Sequence, residues 1–331
     1  EPLVATIIVT PTFTNDGVSC DGPTESFTIT VNPTGQVDIP ADQVVCHAEA
    51  TTVVFTTENT VGVTAYAWTS DIEIGAGLTG AGDLNFTAAN LGTDPLVATI
   101  IVTPTFTNDG VSCDGPTESF TITVNPTAQV DIISDSFVLS GELTPSISLS
   151  SQSTNTTFSW VASPDADITG LVNDSGSNSL IPSETFYNFE TIPLEVVYVI
   201  TPVVNNDLAG ISCPGTTYTY TVIVNPSASV KSIEDLIVCN EDSVSVLFTS
   251  ENTGGTVTYA WTSDIEIGAG LTGAGDLNFT AANLGTDPLV ATIIVTPTFT
   301  NGGVSSDGPT ESFTITVNPT AQIDAITSQV L

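Results

Sequence analysis

The chain of 331 residues sets 37 Asp and Glu against a single Lys, no Arg and one His, for a formal charge of -36. Such a surface offers almost no cationic contacts to a phosphate backbone and excludes nucleic acid as a partner. A hydrophobic content of 40% is enough to build cores and excludes a disordered acidic polymer. No run of 18 apolar residues and no basic-then-apolar leader is visible, so this segment is not expected to insert in a membrane.

Along the chain, Pro2 to Thr34 recurs unchanged at Pro95 to Thr127, and Tyr66 to Gln129 recurs at Tyr259 to Gln322. The second match differs only where Asp109 becomes Gly302 and Cys113 becomes Ser306. Asn-Pro-Thr or Asn-Pro-Ser closes each unit at Asn32, Asn125, Asn225 and Asn318, at spacings of 93, 100 and 93 residues. A period this long means whole domains in tandem. Residues 1–34 are expected to hold the C-terminal part, strands F and G, of a truncated repeat. Repeats follow at 35–127, 128–227 (the most divergent) and 228–320, and 321–331 begins the next, which reads as a window cut from a longer array.

Within a repeat the apolar residues alternate: Val53 and Phe55, Tyr66 and Trp68, Leu84 and Phe86, then Phe120, Ile122 and Val124, interleaved with Thr, Ser and Asn. That period of two predicts half-buried antiparallel strands, and turn residues between the runs fit an immunoglobulin-like β-sandwich. The fold class expected is all-β, tandem sandwiches in a linear array. One Trp per repeat, Trp68, Trp160 and Trp261, belongs on the third strand as core.

Ala-Asp-Gln-Val-Val-Cys at 41–46, Tyr-Ala-Trp at 66–68, Ala-Thr-Ile-Ile-Val-Thr-Pro at 98–104 and Ser-Phe-Thr-Ile-Thr-Val-Asn-Pro at 119–126 together resemble the PKD-like repeats of giant Bacteroidota-type surface adhesins of the gliding or biofilm type. The resemblance covers the whole chain. It implies a seven-stranded sandwich, dedicated secretion, and a role in adhesion or fibre building.

The five cysteines occupy two places in the repeat: the turn after strand A (Cys46, Cys239) and the loop before strand G (Cys20, Cys113, Cys213). Position 139 is Leu and position 306 is Ser. Strands A and G run in the same direction, so these places lie at opposite ends of one sandwich, roughly 30 Å apart for about nine residues, too far for a disulfide. The exit turn of one repeat faces the entry loop of the next, which pairs Cys46 with Cys213 and leaves Leu139 and Ser306 missing together. Cys20, Cys113 and Cys239 are expected to pair outside this segment. Free or buried thiols are the alternative reading.

Chemistry is sparse. Gly75, Gly77 and Gly80 match a dinucleotide-binding string, but a strand pattern follows where a helix is required. His47 adjoins Cys46 and would point to the opposite face of an extended strand, so it is not a catalytic partner. No catalytic or cofactor residues are expected. The calcium candidates are Asp71, Glu73, Asp264, Glu266, Asp109 and Asp114, acidic side chains in loops without a recognised ligand spacing.

The reading that results is a non-enzymatic extracellular repeat region that forms a stiff, acidic, disulfide-braced stalk of a filament or adhesin. Its candidate partners are neighbouring repeats, lateral copies of the chain, and surface glycans or substrata. The alternative is a spacer or carbohydrate-binding region of a secreted hydrolase.

Overall fold

A computed structural model describes residues 1–206, 210–325 and 328. Its regular elements are all β-strands. The expected start of a further repeat at 321–331 lies partly outside the described residues, and 321–325 form no strand.

The chain divides into two compact units. One holds Glu1–Asp131, Ser150–Phe158 and Thr201–Thr217; the other holds Ile132–Leu149, Ser159–Ile200 and Tyr218–Leu331. The division cuts through the 128–227 repeat.

In the first unit, Leu3–Val9 pairs with Glu25–Val31 and Thr12–Asn15 pairs with Val18–Asp21. The following repeat forms one sheet in the order Gln43–Cys46, Glu118–Asn125, Leu96–Asn108, Val63–Ser70, Thr79–Ala81. Gln43–Cys46 runs parallel to Glu118–Asn125, and the other pairs are antiparallel. A second, two-stranded sheet of Ala50–Val53 and Leu84–Thr87 covers its inner face. Side chains point alternately inward, so Ala98, Ile100 and Val102 are buried with Phe120, Ile122 and Val124, and Trp68, Val53, Leu84 and Phe55 close the core from the other strands. Each fully buried Ile, Val or Leu of this set contributes about 1.5–3 kcal/mol.

The expected loop before strand G is instead a short strand, Val111–Asp114, hairpinned to the end of Leu96–Asn108. Its turn places Asp109 at φ 49 and Gly110 at φ 78, the two positive values of a tight type I′ hairpin. Cross-strand hydroxyl pairs, Thr107 with Ser112 at 2.9 Å and Thr105 to Asp114 at 2.8 Å, hold it.

In the second unit, the 228–320 repeat repeats the arrangement: Leu236–Cys239, Glu311–Asn318, Leu289–Asn301, Thr256–Ser263, Thr272–Ala274, with Ser243–Val246 and Leu277–Thr280 opposite. The divergent repeat keeps the main sheet order, Ser136–Leu139, Tyr218–Asn225, Leu194–Asn206, Thr156–Pro164, Ser175–Gly176. Its opposing layer is reduced to two-residue ladders at Ile147–Ser148 with Leu180–Ile181 and Ile168–Thr169 with Tyr187–Asn188.

Candidate functional site

The chemistry-bearing residues of the chain gather where one repeat gives way to the next. The parallel Gln43–Cys46 and Glu118–Asn125 strands end together, and the chain then enters the following repeat beside that repeat's hairpin.

The structure joins Cys46 to Cys213 within the first unit, with Cα atoms 5.5 Å apart across 167 residues of sequence. Cys46 ends its strand, and Cys213 sits in Ile211–Pro214, a hairpin strand paired with the end of Leu194–Asn206. Ala128, Val204 and Cys213 are buried there, with Cys46 and Ile211 packed on them, so the bond lies in a small apolar core of its own. Asn125, fully buried, directs Nδ2 at the Cys213 sulfur at 3.6 Å. Cys20, Cys113 and Cys239 are free; Cys113 is half-buried and the other two are exposed.

The closing Asn-Pro motif has a role that its sequence did not disclose. Asn32 Nδ2 donates to the Asn108 carbonyl at 3.1 Å, and Asn108 Nδ2 donates to Asn32 Oδ1 at 3.0 Å. In the second unit Asn225 and Asn301 make the same exchange at 3.1 and 3.0 Å. At Asn32 and at Asn225 the motif therefore latches the end of one repeat to the hairpin of the next, while Asn125 instead turns its amide to the Cys213 sulfur. The only available sequence signal was the recurrence of Asn at the end of each period.

The linker behind each motif runs against a hairpin glycine. A Cβ on Gly115 would collide with the Gly35 carbonyl oxygen, one on Gly215 with that of Ala128, and one on Gly308 with that of Ala228.

At the Asn225 junction, Leu139 and Ser306 occupy the two cysteine places, and the ring of Phe137 lies on Gly302, where a Cβ would overlap its ring atoms. Both positions that differ between Tyr66–Gln129 and Tyr259–Gln322, 302 and 306, thus lie at the end that receives the preceding repeat.

His47 Nδ1 accepts from the Asn90 backbone N–H at 3.0 Å, a place taken by Ser140 Oγ toward Asn188 and by Asn240 Oδ1 toward Asn283. Its position is that of a loop clamp. The glycine-rich string is closed in the same way: Glu73 Oε1 accepts from the Gly75 and Gly77 N–H groups at 2.7 and 3.0 Å, and Glu266 does so from Gly268 and Gly270 at 2.6 and 3.0 Å. The backbone donors that could cradle a phosphate already hold a carboxylate. Trp68, Trp160 and Trp261 are buried, each with its ring over a glycine, Gly80, Gly176 and Gly273.

The calcium candidates are dispersed. Asp71 and Asp264 each accept from a backbone N–H, of Thr99 and Thr292, at 2.7 Å. Asp114 accepts from Thr105, and Asp109 sits in the hairpin turn. No three His, Cys, Asp or Glu side chains converge among the described residues. Lys231 pairs with Glu251 at 3.5 Å, both largely exposed, a contact worth little in water.

Two-layered all-β repeats joined end to end by latched hairpins define a tandem immunoglobulin-like β-sandwich protein. Residues 133–228 match the PKD-like domain family. No curated protein matches the sequence. Among solved structures, the chain is similar to Drosophila N-cadherin EC1-4 at 13% identity and TM-score 0.35, covering 96% of this chain and 84% of that one. It is also similar to mouse cadherin-23 EC22-24, at 10% identity and TM-score 0.33 over 87% of this chain and 100% of that one. For Sidekick-1 immunoglobulin domains 1-4 the values are 10%, 0.30, 97% and 94%. No helix of the described residues is long and apolar enough to cross a membrane.

Proposed function

We propose that this chain is a load-bearing and adhesive repeat region of an extracellular protein, a stalk of the giant surface adhesin type, working through its junctions. The observation that carries the reading is the Cys46–Cys213 bond between one repeat and the next. Tension applied at the two ends passes from Cys46 directly to Cys213, so the intervening chain is bypassed. The amide latches at Asn32 and Asn225 and the close linker contacts support the same reading, because they fix how a repeat meets its neighbour. An oxidising location follows from a structural disulfide, and the acidic surface keeps the chain hydrated. Free Cys113 and Cys239 stand at the two places that a staple uses and are assigned to partners in neighbouring repeats.

Single-molecule extension of the intact chain tests this. Reduction should add about 570 Å of releasable length, the 167 residues spanned by the bond at roughly 3.4 Å each. Equal lengths before and after reduction would remove the load-bypass reading, and a peptide map without the Cys46–Cys213 link would remove its basis.

A further inference from the structure

Each unit contains a groove at the same place in the repeat pattern, and the two differ in size and chemistry. In the first, His47, Leu91, Gly92 and Gln129 help enclose about 80 Å³. In the second, the equivalent positions are Ser140, Phe189, Glu190 and Ser229, and the groove opens to about 410 Å³. In the wider groove Ser140 stands in place of His47 and Ser229 in place of Gln129, while Phe189 and Glu190 stand in place of Leu91 and Gly92.

The rim carries a feature that no core requires. Tyr187 and Phe189 are 43% and 78% exposed, with ring planes 4° apart and centroids 6.1 Å apart. A Cβ at Gly141 would stand 3.6 Å from the Tyr187 ring, which therefore lies beside that glycine. The twin repeats carry Ala89 and Leu91, or Ala282 and Leu284, at these positions. Two parallel aromatic rings left in solvent beside an open groove mark a binding surface.

We infer that Tyr187, Phe189 and the adjoining groove bind an uncharged glycan. A pyranose ring presents an apolar face of C–H groups, which packs on an aromatic face, and a rim of hydroxyls, which needs short polar partners. Phe189 supplies the flat face. The Ser140 hydroxyl and the Glu190 carboxylate, both at the groove, supply the polar partners, the carboxylate accepting from neighbouring hydroxyls. A formal charge of -36 and Glu190 itself select against anionic polysaccharides. This site supplies the adhesive part of the function proposed above and rests on that reading. The groove is built from residues of the second unit and the Cys46–Cys213 bond from residues of the first, so failure here and failure of the load-bypass reading are separate results.

The test uses the intact chain in gels containing dextran, mannan, xylan or β-glucan, with alginate as the anionic control, followed by calorimetry with oligosaccharides of the retained polymer. Retardation by at least one neutral polymer and none by alginate is expected. The double variant Tyr187→Ala, Phe189→Leu installs residues the twin repeats tolerate; it should raise Kd at least tenfold with an unchanged melting temperature, while Phe189→Tyr retains binding. No retardation by any neutral polymer, retardation by alginate alone, or undiminished binding by the double variant would overturn the site. A wild-type dimer that the double variant loses, seen by sedimentation without glycan binding, would reassign the rings to self-association and overturn it equally.

Discussion

Phe137 and Gly302 fit one another so closely that any side chain at position 302 would have to displace the ring. In the twin repeat the corresponding residue is Asp109, which holds φ 49, close to the φ 60 of Gly302. Backbone strain therefore does not explain the glycine; the ring does. Gly302→Asp should lower the stability of the second unit by about 1–3 kcal/mol through overpacking. Adding Phe137→Val, the residue type of equivalent Val44, should recover part of that loss. Thermal melts of the wild type, two single variants and the double variant measure the coupling; additive effects would contradict direct packing.

The cysteine places at this same junction are empty of sulfur, yet the strands that carry them, Ser136–Leu139 and Val304–Asp307, lie against each other. Leu139→Cys with Ser306→Cys should form a second staple on air oxidation, detected as a linked peptide pair after cleavage at Glu and Asp. A native staple of this kind is worth about 2–5 kcal/mol, so reduction of the wild type should lower the melting of the first unit and leave the 228–320 transition in place. Failure of the engineered pair to link would mean that Phe137 holds these strands outside disulfide range.

Removing one amide of a latch strands its partner. Asn225 is fully buried, and Asn301 donates to its side-chain oxygen. Asn225→Ala deletes both bonds of the exchange and should cost about 1–3 kcal/mol. Proteolysis by a Glu-directed protease is expected to reach the linker after Pro226 faster in this variant. An unchanged cleavage rate would make the amide pair incidental.

The alternating apolar residues and the strand-placed tryptophans were readable in sequence because period two and core burial are local consequences of strand geometry. The cysteine places could be read as two ends of a sandwich for the same reason. The latch was not readable, since Asn32 and Asn108 meet only when one repeat docks on the next, and nothing in an Asn-Pro pair names its partner. The hairpin Val111–Asp114 reads as a loop in sequence because its Asn-Asp-Gly-Val turn sits inside a run otherwise dominated by Thr and Ser. The exposed pair Tyr187 and Phe189 was not legible, because aromatics two residues apart on a strand share one face and the pattern does not say whether that face is buried.

Alkaline pH should act on the divergent repeat. Burial raises the Tyr198 phenol far above its ordinary value, and the charge of Glu184 adds to the effect; burial also raises Tyr220, whose Oη donates to Ser136 Oγ at 2.9 Å. The folded state then keeps protons that the unfolded chain releases, so this stabilisation is complete below the ordinary phenol value of 10.0 and is lost as pH rises through the folded values. Melts between pH 8 and roughly 11.5 should show destabilisation above 10, reduced in Tyr198→Phe. A flat profile would contradict the burial of these phenols.

Calcium gives the remaining prediction. A site selective for calcium needs six to eight oxygens brought together, and magnesium demands a tighter octahedron, so selective binding separates the two ions. Here Asp71 and Asp264 are each engaged by a backbone N–H, Glu73 and Glu266 each hold two glycine N–H groups, and Asp114 holds a threonine hydroxyl. What the ions share is screening of a chain charged -36, which relieves self-repulsion regardless of ion radius. Calcium and magnesium chloride at equal ionic strength should therefore raise the melting temperature by the same amount. A calcium-specific rise reversed by chelation, and abolished by Asp71→Asn or Asp264→Asn, would instead place a true calcium site in these loops.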